Sequence, residues 1–136
     1  MNVLVIDVGT SGLRAAVVDG NGDVHALNYR PFPPSTPFPG LVEFDGSAMA
    51  DAVLEVATAS LEAAGPVTAV GISNQRASTL VWDRGTGQPV APGLGWQDLR
   101  TVFDCITAKS EHGLALAPNQ SATKVAWLLD NVPGAR

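Results

Sequence analysis

A chain of 136 residues, 46% hydrophobic and 15% charged, is long enough for one domain with its own core and lies far from a disordered composition. Eight basic against thirteen acidic side chains leave a net charge of −5, which argues against nucleic acid or an acidic membrane face as partner. Cys105 is the single cysteine, so neither an intramolecular disulfide nor a thiolate zinc cluster can form.

The first residues, Met1 to Ile6, carry no basic region of a signal peptide and run into a polar turn. No apolar stretch approaches the roughly 20 residues that cross a bilayer. A soluble cytoplasmic protein without membrane contact is the expectation. Val3 to Ile6 is a continuous aliphatic run and predicts a strand buried on both faces. Leu13 to Val18 and Val24 to Tyr29 predict two more, joined through the turn-rich Asp19 to Asp23, so the three should form an antiparallel meander. Pro31 to Pro39 holds five prolines and predicts extended loop.

From Ser47 to Ala64 the period becomes helical, with Met49, Val53, Val56 and Leu61 on one face and Asp51, Glu55 and Glu62 on the other. Gly65-Pro66 ends that helix. Val67 to Ile72 and Thr79 to Trp82 read as strands. Leu99, Val102, Phe103 and Ile106 are spaced as one helical face, predicting a second helix from about Asp98 to His112. A third is expected over Ala122 to Asp130. The order βββαββαα describes an α/β domain with a mixed sheet.

Three clusters carry possible chemistry. Asp7-Val8-Gly9-Thr10-Ser11-Gly12 follows directly on the first strand. A carboxylate there can hold Mg²⁺ through water, and the turn can offer N–H groups and hydroxyls to phosphate oxygens. Gly9 and Gly12 would permit the positive φ and close backbone approach of such a cradle. An ordinary hairpin turn with an Asx hydrogen bond from Asp7 fits the same residues. No P-loop is present, and the Gly-x-Gly pairs lack the third glycine of a dinucleotide fingerprint.

The second cluster, Ser73-Asn74-Gln75-Arg76, and the third, Trp96-Gln97-Asp98, supply an aromatic wall and bidentate groups of the kind that read sugar hydroxyls. Equally, Trp96 can be core, with Arg76 and Arg100 paired to Asp98 or Asp104. His25 and His112 lack ligand partners at metal spacing, and Trp82 and Trp127 suit packing.

Taken in order, these motifs resemble the FGGY carbohydrate kinases, the family of glycerol, xylulose and gluconate kinases. The resemblance runs through Val5 to Arg14, Pro39 to Asp45, Ala69 to Arg76 with Val81 to Pro89, Trp96 to Thr101, and Ser121 to Asn131, and so covers essentially the whole chain. It implies a ribonuclease H-like, actin-like ATPase fold and transfer of the ATP γ-phosphoryl group to a sugar or polyol hydroxyl. It implies that Asp7 positions Mg²⁺, that Gly9, Thr10 and Ser11 face the phosphates, and that Arg76, Trp96 and Asp98 line the substrate pocket. Positions 77 and 119 depart from glycerol kinases: Ala77 stands where they carry Glu, and Asn119 where they carry Tyr. Two hydroxyl-reading groups are thereby lost, which favours a larger sugar or a different polyol over glycerol.

Members of the family are several times longer. Residues 1–136 would accordingly be a partial N-terminal domain, with the second, ATP-covering domain and the catalytic Asp base lying beyond residue 136. The chain alone is then expected to be inactive, and homo-oligomers would belong to the full-length parent. A stand-alone, non-catalytic carbohydrate-binding or interaction domain derived from such a kinase is the alternative.

Overall fold

The computed structural model describes residues 1–136 and runs β1 (Val3–Val8), β2 (Gly12–Val18), β3 (Val24–Pro31), β4 (Glu43–Phe44), α1 (Gly46–Ala64), β5 (Ala69–Asn74), β6 (Gly93–Leu94), α2 (Val102–His112) and α3 (Ser121–Asn131). The chain divides into two units, Met1–Pro33 with Ala48–Gln75, and Pro34–Ser47 with Arg76–Arg136.

In the first unit, alternation decides the faces. Leu4 and Ile6 of β1 and Leu13, Ala15 and Val17 of β2 point into the core, while Val5 and Arg14 face away. The meander forms as expected: β2 pairs antiparallel with β1 and with β3. Its second turn is held by Asp19, whose Oδ1 accepts the amides of Asn21 at 2.8 Å and Asp23 at 3.1 Å. The register between β2 and β3 slips between Ala15 and Val17, and Ala26 adopts a φ of 50°.

Helix α1 covers this sheet with Ala52, Val56 and Ala57, joined at its edges by Met49, Val53 and Leu61. The predicted polar face (Asp51, Glu55, Glu62) is exposed. Inside the packed face Ser60 is fully buried, its hydroxyl donating to the Ala15 carbonyl at 3.0 Å and accepting from the Asn28 amide at 3.0 Å. Gly65 at φ 83° closes the helix, its amide bonding to the Leu61 carbonyl at 2.8 Å. The chain then returns as β5, parallel to β1, a pairing that needs the crossover α1 provides. The sheet order β3-β2-β1-β5 is mixed.

The second unit departs further from expectation. Thr79 to Trp82 is not a strand; Thr79 and Trp82 make only isolated bridges to Leu94 and Pro89. The chain there closes a tight loop, Asp83 bonding to Gln88 through its amide at 2.8 Å, and Pro89 has no amide to extend a ladder. The regular pairing falls instead on the short strands β4 and β6. Helix α2 starts at Val102 rather than Asp98, because Gly95 to Asp98 is a turn closed by the Asp98 amide on the Gly95 carbonyl at 3.0 Å. The apolar stripe expected to face the core does not: Phe103 is 79% and Ile106 57% exposed, and the helix buries Cys105.

Candidate functional site

The turn that follows β1 is built from close backbone approach. The Gly9 amide bonds to the Gly12 carbonyl at 3.0 Å, and a Cβ on Gly9 would lie 2.8 Å from that oxygen. A Cβ on Gly12 would overlap the Tyr29 ring. Neither glycine has a positive φ, so the residues are demanded by space and not by left-handed backbone. The Gly9 N–H is occupied within the turn, which leaves the bend at Thr10 and Ser11 as the outward part; Ser11 is exposed.

Asp7 stands at the mouth of this turn. Antiparallel register places Arg14 opposite it, and Arg14 Nη1 donates to Asp7 Oδ2 at 3.2 Å while its guanidinium stacks 4.9 Å from the centre of the Tyr29 ring. Gln75, at the end of β5, donates from Nε2 to the Gly9 carbonyl at 3.0 Å. Sequence gives Arg14 no role of its own and places Gln75 only in the second cluster, without its contact to the Gly9 turn. The first is recoverable, since a three-residue connection fixes which residue of β2 lies beside Asp7. The second depends on β5 pairing with β1, a long-range contact without a local signal.

No group of three or more His, Cys, Asp or Glu side chains could cage a metal ion anywhere in the chain. A single half-exposed carboxylate suits magnesium nevertheless, because that ion keeps several waters and takes one or two carboxylates together with phosphate oxygens.

The remaining residues lie in the second unit. Arg76 is exposed and takes part in none of the ion pairs. Ala77 holds a φ of 65°, a left-handed conformation unusual for a residue with a Cβ. Trp96 is 38% exposed, and its amide donates to Ser78 Oγ at 3.0 Å. Asn119 is exposed within an Ala117–Gln120 turn, which the Gln120 amide closes on the Ala117 carbonyl at 3.0 Å.

Asp98 has a different environment. It is fully buried, and both of its oxygens are engaged. Oδ1 accepts from the amide of Arg100 at 3.0 Å and its Nε at 2.8 Å. Oδ2 accepts from the amide of Val42 at 2.7 Å and from Arg100 Nη2 at 2.9 Å. Burial pushes the carboxyl upward, but the bonds from Arg100 and Val42 and the adjacent guanidinium charge outweigh it and hold Asp98 below the ordinary range. Arg100 reaches on to Glu43 Oε1 at 2.6 Å and stacks 4.6 Å from the centre of the Trp127 ring. The carboxylate expected to touch substrate is thus saturated by protein donors; of the two pairings considered for it, the one with Arg100 is realised.

An α-helix packed on a mixed four-stranded sheet, with a glycine-bounded turn behind its first strand, is shared with solved kinases. The glycerol kinase of Plasmodium falciparum, solved with ADP, superposes with a TM-score of 0.85 over 98% of this chain and 29% of that one, at 22% identity. The xylulose kinase of Rhodospirillum rubrum gives 0.84 over 99% and 30%, also at 22% identity. These likenesses define the fold class as the actin-like ATPase type, as the sequence motifs imply. Sequence is more specific. The model of the FGGY family of carbohydrate kinases, N-terminal domain, matches residues 2–136, and the glycerol kinase of Trichlorobacter lovleyi is 44% identical over 98% of this chain. The chain belongs to the FGGY family of carbohydrate kinases, matching its N-terminal domain. It spans about 30% of the length of the curated relatives it matches.

Proposed function

We propose that this chain is the N-terminal part of an ATP-dependent kinase that phosphorylates a hydroxyl of a sugar or polyol, with a second, ATP-covering domain contributed by sequence beyond residue 136. The observation that carries the reading is the Asp7 turn: a strand-end carboxylate beside a bend whose two glycines leave no room for a Cβ. Magnesium and ATP, when bound, supply a polarised γ-phosphoryl group. Asp7 would hold the hydrated ion, Thr10 and Ser11 would face the phosphates with Gly9 shaping the bend, and Arg14 would add positive charge beside them. For the acceptor, Trp96 offers a wall for C–H faces, while Arg76 and Asn119 read hydroxyls. Removing the acceptor's proton requires a base, and the reading assigns it to an Asp outside these residues. A cytoplasmic location would suit dependence on ATP and a small acceptor; separately, no helix is long and apolar enough to cross a membrane.

Named relatives are glycerol kinases, yet Ala77 removes a carboxylate and Asn119 replaces a phenol with an amide, which changes the polar groups offered to a small triol. A coupled assay of ATP consumption over a sugar and polyol panel tests the reading. The chain alone should give no turnover. Joined to the remaining two-thirds of the Trichlorobacter lovleyi glycerol kinase, it should turn over, lose that activity on Asp7→Asn, and gain preference for glycerol on Ala77→Glu. Robust turnover by the 136 residues alone would overturn the division of labour proposed here.

A further inference from the structure

Lys124 is fully buried in the first turn of α3. Its Nζ donates to the carbonyl of Pro118, the residue before Asn119. Burial lowers its pKa, and the negative charge of Asp98 counters that shift. Asp98 in turn fixes the turn that carries Trp96: its Oδ2 holds the Val42 amide, and Val42 receives the Gly95 amide at 2.8 Å through its own carbonyl. Arg100 is gripped on its edge by Asp98 and Glu43 and on its face by Trp127, which lies one turn along α3 from Lys124. A hydroxyl contact of 2.9 Å between Thr101 and Thr123 ties the start of α2 to α3 beside them.

Formally the cluster is neutral, two carboxylates against two cations. Charges drawn this far from water, with Glu43 keeping partial access, are an expensive way to fill a core, and a hydrophobic replacement of similar volume is often as stable or more so. Their placement accounts for them better than stability does, because the cluster ends on one side at the Trp96 turn and on the other at the Asn119 turn.

We propose that the ion pairs of Arg100 with Asp98 and Glu43, coupled to α3 and its Lys124 through the Trp127 stack and the Thr101–Thr123 contact, form a truss that sets the Trp96 and Asn119 turns relative to each other, making Glu43, Arg100, Asp98 and Lys124 positioning residues for the sugar-facing groups. The proposal rests on the reading of Trp96 and Asn119 as acceptor-contacting residues given above.

The test uses the 136-residue chain labelled with ¹⁵N, following the Trp96 indole N–H and the Asn119 backbone amide while titrating glycerol or xylulose. Lys124→Met keeps the volume and removes the charge at the Asn119 end; Glu43→Gln is the mild change at the other end, on a side chain still reached by water. Each should shift both resonances and weaken acceptor binding about tenfold, as expected for loss of one oriented hydrogen bond to a charged group. If Lys124→Met does not fold, Glu43→Gln decides through the Asn119 amide. Movement confined to the resonance nearest each substitution would overturn the truss. Joint movement in a chain that binds neither acceptor would uphold the truss and sink the assignment of the site.

Discussion

Ala77 illustrates how much a single backbone angle can reveal that composition hides. A φ of 65° brings its Cβ toward the following carbonyl, a crowding of about 1 kcal/mol for an L-residue. Ala77→Gly should therefore raise stability by about 1 kcal/mol, seen as a higher urea midpoint with an unchanged slope. A lower midpoint would show that the left-handed turn is not under strain. Gly9 makes the opposite case. Its Cβ would meet backbone, the Gly12 carbonyl, which cannot swing aside as a side chain can. Gly9→Ala should lower stability by about 1 kcal/mol, the net worth of the turn's closing hydrogen bond, and shift the amides of Thr10 and Ser11 in a ¹⁵N spectrum. Sequence spacing identified this glycine but for a partly wrong reason, since close approach can be inferred from a motif whereas φ cannot. For Asp98 the chemistry was legible and the direction was not: a carboxylate two residues from an arginine suits a sugar pocket and an internal ion pair equally.

At the scale of elements, the local patterns were legible and the long-range ones were not. Sequence locates α1 almost to the residue because its apolar period matches the face it buries. The meander followed from short turn-rich connections. Thr79 to Trp82 has strand composition, but partners for a strand come from distant sequence, and here the available neighbour offers only isolated bridges. Helix α2 shows the same limit more sharply, with its period correct and its buried face different from the apolar one. The exposed stripe leads to a measurable contrast. Phe103→Ser should change the stability of this chain by less than about 0.5 kcal/mol, as a surface change does. Leu13→Ala, at a residue with no exposed surface, should cost about 2–5 kcal/mol. Chemical denaturation of both variants checks this, and a comparable loss for Phe103→Ser would mean that its ring is packed in solution. Strand β5 offers a companion case: it is an edge of the sheet with Val70 56% and Ile72 69% exposed, so Ile72→Lys should reduce self-association in light scattering at raised concentration.

For the whole molecule, acid should be the most informative perturbation. Asp19, Asp83 and Asp98 all sit below the ordinary carboxyl value of 3.8. The side-chain bond to His25 is the main cause at Asp19, the amide of Thr86 at Asp83, and at Asp98 the donors that overcome its burial. A carboxylate whose pKa is depressed on folding stabilises the native state fully above the unfolded value, and that stabilisation disappears as pH falls through the folded one. Asp83 is exposed and Asp19 still reached by water, so their share is screened and small. Asp98 has no exposed surface, and removing its charge leaves Arg100 buried with Glu43 as its remaining ionic partner. Asp98→Asn should accordingly cost about 3 kcal/mol at neutral pH. Asparagine does not titrate, so the gap between wild type and variant should hold constant from neutrality to about pH 4 and close progressively below 3.8, as the wild-type carboxyl takes up its proton. Melting temperatures of the two chains across that range measure the gap directly. A gap that persists unchanged to pH 2 would mean that shape and hydrogen bonding at residue 98 matter more than its charge. A gap that closes would place the ionic pairing with Arg100 at the centre of what holds the Trp96 turn.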